Sequence, residues 1–179
     1  MSEYASRAGE KLEFALKEFK IDVSGKICAD FGASTGGFTD CLLQAGASKV
    51  YSVDTSYGEL AWKLRNDPRV VVMERTNAMH IELSELVDLI VVDTGWTKQE
   101  KVIPNALRNL KDDGIIISLI KPHYESGKAR LSEEEGQEIL EQTIQNIENL
   151  GCKVMERCES PILGKRGGNR EYLVKIVKL

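Results

Sequence analysis

A chain of 179 residues carrying net charge −4, 42% hydrophobic and 29% charged, has the composition of one globular domain. It is too short for two comfortable domains, and no apolar run approaches the roughly 20 residues that span a bilayer. The overall charge argues against a generally basic nucleic-acid binder, though a local basic rim remains compatible with it.

In chain order, the opening Met1-Ser2-Glu3-Tyr4 lacks the apolar core of a signal peptide. From Ser6 to about Phe19, the residues Ala8, Leu12, Ala15, Leu16 and Phe19 recur at helical spacing. That spacing predicts a leading helix within residues 1–20, packed on the rest. Short apolar runs then predict strands over 26–31, 49–54, 69–73, 87–93, 114–120, 152–158 and 171–178. Helices are expected near 37–46, 58–66, 99–110 and 132–149, with Gly46, Gly114 and Gly151 at helix ends or strand starts. Strand–helix alternation predicts a mostly parallel sheet covered on both faces, with ligands bound beyond the C-terminal ends of the strands. The last two strands are joined by the loop 159–170 without a helix and should pair antiparallel. The fold class is therefore α/β, one domain over 1–179: a Rossmann-like three-layer sandwich whose seven-stranded, mostly parallel sheet has one antiparallel strand. By analogy this is the class I methyltransferase architecture. Cys28, Cys41, Cys152 and Cys158 form no Cys-x-x-Cys pair and read as free thiols in a reducing cytoplasm.

The most informative segment is Asp30-Phe31-Gly32-Ala33-Ser34-Thr35-Gly36-Gly37-Phe38-Thr39-Asp40, between an apolar strand and a helix. A glycine turn leading into a helix N-terminus brings backbone N–H groups close to the polar end of a nucleotide-like cofactor. Neither the dinucleotide fingerprint nor the phosphate-binding P-loop fits, because Ser34 holds the third position and Phe38-Thr39 follow the last glycine. Asp30 would repel a pyrophosphate but suit a cationic amine, as in S-adenosylmethionine. Asp54 closes the next strand, where a carboxylate can accept from both ribose hydroxyls. Backbone around Gly32, Ser34 and Gly37 is expected to hold the cofactor carboxylate, and Asn77 the adenine. Ala33, Gly36, Phe38, Thr55, Ala78 and Asp93 complete the expected pocket, and no metal site is expected.

Further charged residues fall on the same sheet edge. Asp93 ends the fourth strand, Lys121 the fifth, and Glu171 opens the last. Lys11 lies on the leading helix, free to pack beside them. The stretch from Gly151 holds seven Lys or Arg against three Glu, including Lys165, Arg166 and Arg170. Acids gather instead at Glu133-Glu134-Glu135, where a helix N-terminus favours them.

Four segments closely resemble the haemolysin-A-like (TlyA) family of FtsJ-type RNA ribose methyltransferases. They are Ser6-Arg7-Ala8-Gly9-Glu10-Lys11-Leu12, the glycine loop 32–40, Tyr57-Gly58-Glu59-Leu60-Ala61-Trp62-Lys63-Leu64-Arg65 and Glu74-Arg75-Thr76-Asn77-Ala78. Lys121-Pro122, Ser160-Pro161-Ile162 and Gly168-Asn169 extend the match toward the C-terminus. The resemblance implies a Lys-Asp-Lys-Glu tetrad at Lys11, Asp93, Lys121 and Glu171. It also implies S-adenosylmethionine as cofactor and RNA, especially ribosomal RNA, as partner. Arg7, Trp96, Lys165, Arg166 and Arg170 are the expected RNA contacts. Relatives usually carry a small RNA-binding domain ahead of this one, whereas this sequence begins at the methyltransferase. Thr94-Gly95-Trp96 and His123-Tyr124 replace the usual Val-Ser-Phe and Gln-Phe, on the substrate side. The leading reading is an RNA ribose 2′-O-methyltransferase. The alternatives are a non-catalytic RNA-binding assembly protein that keeps the pocket, and a small-molecule methyltransferase.

Overall fold

A computed structural model describes residues 3–165 and 168–179. Its elements are α1 (Ala8–Glu18), β1 (Ile27–Phe31), α2 (Gly37–Gln44), β2 (Lys49–Val53), α3 (Trp62–Arg65), β3 (Val70–Met73) and β4 (Val87–Val92). They continue with α4 (Gln99–Asn109), β5 (Leu110–Ile120), α5 (Pro122–Ser126), α6 (Glu133–Glu148), β6 (Cys152–Glu159) and β7 (Tyr172–Lys178). The seven strands form one sheet in the order β3-β2-β1-β4-β5-β7-β6. Only β7 runs against the rest, antiparallel to both β5 and β6. Ile120 pairs with Tyr172, so the start of β7 sits at the C-terminal end of β5.

The central strands are mostly apolar on both faces because both faces are covered there. Successive side chains alternate: Leu89 and Val91 of β4 face one core, Ile90 and Val92 the other. Leu12, Ala15 and Leu16 of α1 and Phe38, Cys41 and Leu42 of α2 pack on the first face. Val102, Ile103 and Ala106 of α4 and Leu140 and Ile147 of α6 cover the second. All four cysteines are free thiols; burial pushes Cys28 and Cys41 up to about 12, leaving them as inert core residues. Among the described residues no helix is long and apolar enough to cross a membrane.

Three elements differ from the sequence expectation. The helix expected over 58–66 shrinks to four residues, because Gly58 adopts φ 77° and Ala61 stays extended. The strand expected from Gly114 starts at Leu110, directly after α4. Leu110 pairs with Val87 before a register shift at Leu89, and the acids Asp112 and Asp113 mask this extension in the sequence. The short helix α5 was not expected; extended Lys121 precedes it, Pro122 occupies its first turn and Gly127 ends it at φ 72°. The expected start of α6 is a complete capping box, in which Glu135 N–H donates to Ser132 Oγ and Ser132 N–H to Glu135 Oε2.

Candidate active site

Two cavities open beyond the C-terminal ends of the central strands. The larger, about 620 Å³, lies over β1, β2 and β4 and is lined in part by Gly32, Ser34, Asp54, Thr55, Asn77, Ala78 and Asp93. Its floor is the β1–α2 turn. Gly32 and Ala33 N–H groups both donate to Val53 O, tying that turn to the end of β2. Gly32 has φ 94°, and a Cβ there would stand 2.3 Å from Asp93 O, so only glycine lets the turn lie this close to β4. Ser34 also takes a left-handed conformation, and its N–H donates to Asp54 Oδ2 at 2.8 Å. Asp54 Oδ1 accepts from Ser56 N–H at 2.8 Å, so the carboxylate is fixed from both sides and keeps lone pairs for a ligand. Opposite, Asn105 of α4 donates to Ala78 O and Ile81 O, holding the Asn77-Ala78 corner.

Five of the expected pocket residues lie behind this wall. Asp30 is 0% exposed, because strand alternation turns it with Cys28 beneath α2. Its Oδ2 accepts from Thr39 N–H and Thr39 Oγ1 at 2.9 and 2.7 Å. Burial, opposed by these Thr39 bonds and reinforced by the Asp93 charge, pushes its carboxyl up to about 7. Ala33 and Phe38 are buried hydrophobics. Gly36 packs under Leu60 and Leu64, and Gly37 lies where a Cβ would meet Ser6 Oγ at 2.3 Å. Gly37 therefore lets α2 approach the N-terminal segment.

The smaller cavity, about 270 Å³, gathers the four predicted tetrad residues. Lys11 Nζ donates to Glu171 Oε2 at 2.5 Å, both side chains being almost wholly buried. Lys121 donates to Asp93 Oδ1. Burial pulls the Lys121 ammonium down, but the Asp93 charge and hydrogen bond, with Glu171, outweigh it and hold the group above the usual lysine range. Asp93 and Tyr124 line both cavities, so the smaller chamber opens onto the larger one at the tetrad.

The expected RNA contacts divide. Arg7 and Lys165 line the smaller cavity, and Arg7 Nη2 donates to Leu163 O at 3.4 Å. Trp96, 69% exposed and at φ 59°, stacks on Tyr124 with ring centroids 4.4 Å apart. Arg170 points elsewhere: it pairs with Glu133 and Glu159 beside a separate cavity of about 200 Å³. Arg166 lies outside the described residues. His123 and Tyr124, which depart from the usual Gln-Phe, both line the smaller cavity; their place directly after Lys121-Pro122 is the signal in the sequence that points to them. Three buried side-chain polar atoms lack a partner among the described residues: Asp30 Oδ1, Thr94 Oγ1 and His123 Nδ1. Thr94 and His123 line the cavities at this edge of the sheet, where a ligand would supply what the protein does not, whereas Asp30 is closed off behind them. No cluster of His, Cys, Asp or Glu among the described residues could hold a metal.

A family model described as FtsJ-like methyltransferase matches residues 4–178. The chain is 42% identical over 185 residues to Hemolysin A of Brachyspira hyodysenteriae, covering 97% of this chain and 77% of that protein. It is 46% identical over 131 residues to the 16S/23S rRNA (cytidine-2′-O)-methyltransferase TlyA of Mycobacterium tuberculosis, over 72% of this chain. That match spans 49% of the relative, about half its length. A crystal structure from Lactococcus lactis carrying a hemolysin label superimposes at TM-score 0.92 with 36% identity, covering 100% of this chain and 90% of that one. More distant solved methyltransferases, 16% and 17% identical, share the fold at TM-scores of 0.69 and 0.68, which places the architecture in class I.

Proposed function

The chain belongs to the FtsJ-like methyltransferase family, and on that premise we propose that it methylates a ribose 2′-hydroxyl of RNA, with ribosomal RNA as the substrate class. The observation that carries this reading is the pair of ion pairs, Lys11–Glu171 and Lys121–Asp93, converging on a chamber that opens onto the larger cavity. Ribosomal RNA is the named substrate of the TlyA relative, which supports that choice of acceptor.

S-adenosylmethionine is the cofactor of this family, and the larger cavity fits it. When bound, it supplies a methyl group activated on a sulfonium. Asp54 has lone pairs that would take two ribose hydroxyls, and Asn77 and Ala78, which line the same cavity, would hold the adenine. Thr94 Oγ1 is buried there without a partner among the described residues. The Gly32 turn leaves room a side chain would fill. Asp30 stays behind the cavity, since none of its surface reaches it.

The chain's own residues then align and activate the hydroxyl. Lys121, paired with Asp93, is an ammonium at neutral pH. It would therefore donate to the acceptor oxygen and stabilise the charge growing there as the hydroxyl proton passes to solvent water. Asp93 aims Lys121, and the Lys11–Glu171 pair fixes the ribose side of the chamber. Positioning of this kind, rather than strong base catalysis, is what a pre-activated methyl donor requires.

The test is nucleoside mass spectrometry of ribosomal RNA from cells with the wild-type gene, without it, and with Lys121→Ala. A 2′-O-methyl nucleoside present only with the wild type supports the proposal. Its persistence with Lys121→Ala, or its absence throughout, overturns it.

A further inference from the structure

His123 has no task in the chemistry above, yet it is built into the acceptor chamber. It is 5% exposed, sits at the start of α5 directly after Lys121-Pro122, and lines the smaller cavity but not the larger. Its ring makes no hydrogen bond with a described residue, and Nδ1 is buried without any partner among them. Leaving a buried polar nitrogen unpaired is costly, so the site is complete only when something else supplies the bond.

Charge narrows what that something is. Burial holds the imidazole below its usual range; Lys121 and Lys11 push the same way, and Glu171 opposes them. A neutral imidazole carries one donor and one acceptor, which suits a nucleobase edge better than a phosphate. The ribose side of the chamber is already served by Lys11, Glu171, Lys121 and Asp93. His123 also leans on Tyr124, with ring centroids 4.3 Å apart, and Tyr124 stacks on Trp96. The three rings form an aromatic wall against which a base could lie.

We propose that His123 binds the acceptor nucleotide directly, hydrogen-bonding the edge of its base, and so selects which nucleotide is presented to Lys121. The proposal rests on reading the smaller cavity as the acceptor site. It adds an interaction that discriminates among bases, which the tetrad alone does not provide.

Steady-state methyl transfer to ribosomal RNA tests it, using wild type, His123→Leu, His123→Asn and His123→Gln. Cofactor affinity and thermal midpoint report whether each variant is folded. His123→Leu should raise KM for RNA about tenfold, as expected when a buried site forgoes one hydrogen bond, with kcat within about threefold. Cofactor affinity should not move. One of the two amides should restore KM, Asn if Nδ1 makes the bond and Gln if Nε2 does. An unchanged KM for His123→Leu, or a raised KM that neither amide restores, overturns the hydrogen bond. If the wild type transfers no methyl to RNA, the functional reading fails separately. The nitrogen resonances of His123 in labelled protein, titrated with ribosomal RNA, then decide: a shift sustains the proposal, and unmoved resonances overturn it.

Discussion

Lys11 and Glu171 stand 160 residues apart in the chain and meet in a 2.5 Å ion pair from which water is almost excluded. One comes from the leading helix, the other from the loop that opens the last strand. The pair therefore joins the two ends of the domain at the acceptor chamber.

Removing one member of this pair leaves a buried charge without compensation. Lys11→Met or Glu171→Leu alone should destabilise the fold by about 3–5 kcal/mol. The double variant should recover most of that loss, because an apolar pair of similar volume needs no compensation. It should not recover methyl transfer. Chemical unfolding of the three variants checks this; additive losses in the double variant would mean the pair is not coupled.

Asp54→Ala should weaken S-adenosylmethionine binding by about 2–4 kcal/mol, since two hydrogen bonds to a charged acceptor disappear. The same carboxylate holds Ser34 N–H and Ser56 N–H, so part of the effect will come from a loosened turn. Asp54→Asn keeps one acceptor oxygen and should lie between the two. Calorimetry on folded proteins measures it, and wild-type affinity in Asp54→Ala would move the ribose site elsewhere.

Asp30 makes stability depend on pH near neutrality. Its folded value of about 7 lies above the ordinary 3.8, so the folded protein binds a proton more tightly than the unfolded chain does. Stability from this group is then full below about pH 4 and is lost as pH rises toward 7. Three units correspond to at most about 4 kcal/mol. Urea unfolding of wild type against Asp30→Asn at pH 5 and pH 8 isolates the effect. The wild type should lose more stability over that interval, and equal losses would place a charged Asp30 in the folded state throughout.

Arg7 and Lys165 are the described basic residues that join the tetrad lysines in lining the acceptor chamber, whereas Arg170 is engaged by Glu133 and Glu159. Reversing Arg7 and Lys165 to Glu should weaken RNA binding and flatten its salt dependence by about 0.7–0.9 for each phosphate left without its cation. Arg170→Glu should do much less. Filter binding across a salt series reads both, and a larger effect from Arg170 would shift the RNA path toward α6.

What the sequence determined by itself was whatever depends on neighbouring residues. Apolar runs and their periods marked all seven strands, and the acids Glu133-Glu134-Glu135 marked the start of α6. Placing Asp54, Asp93 and Lys121 at strand ends required only counting along those runs, because parallel strands present their C-terminal ends on one edge. Antiparallel pairing of the last strand was likewise legible from the missing helix before it, and it put Glu171 at the same edge. Tertiary packing decided the rest. Asp30 looked like a ligand group, but the two-residue alternation of β1 turned it under α2, and only the position of α2 shows that this face is closed. Gly36 and Gly37 belong to the same correction, since they accommodate Leu60, Leu64 and Ser6 rather than a ligand. Lys11 meets Glu171 only because α1 packs on α2, a meeting of surfaces that no local pattern specifies. The Trp96–Tyr124 stack and the unpartnered Nδ1 of His123 arise where the loop after β4 meets α5 after β5, and that convergence is a property of the folded sheet.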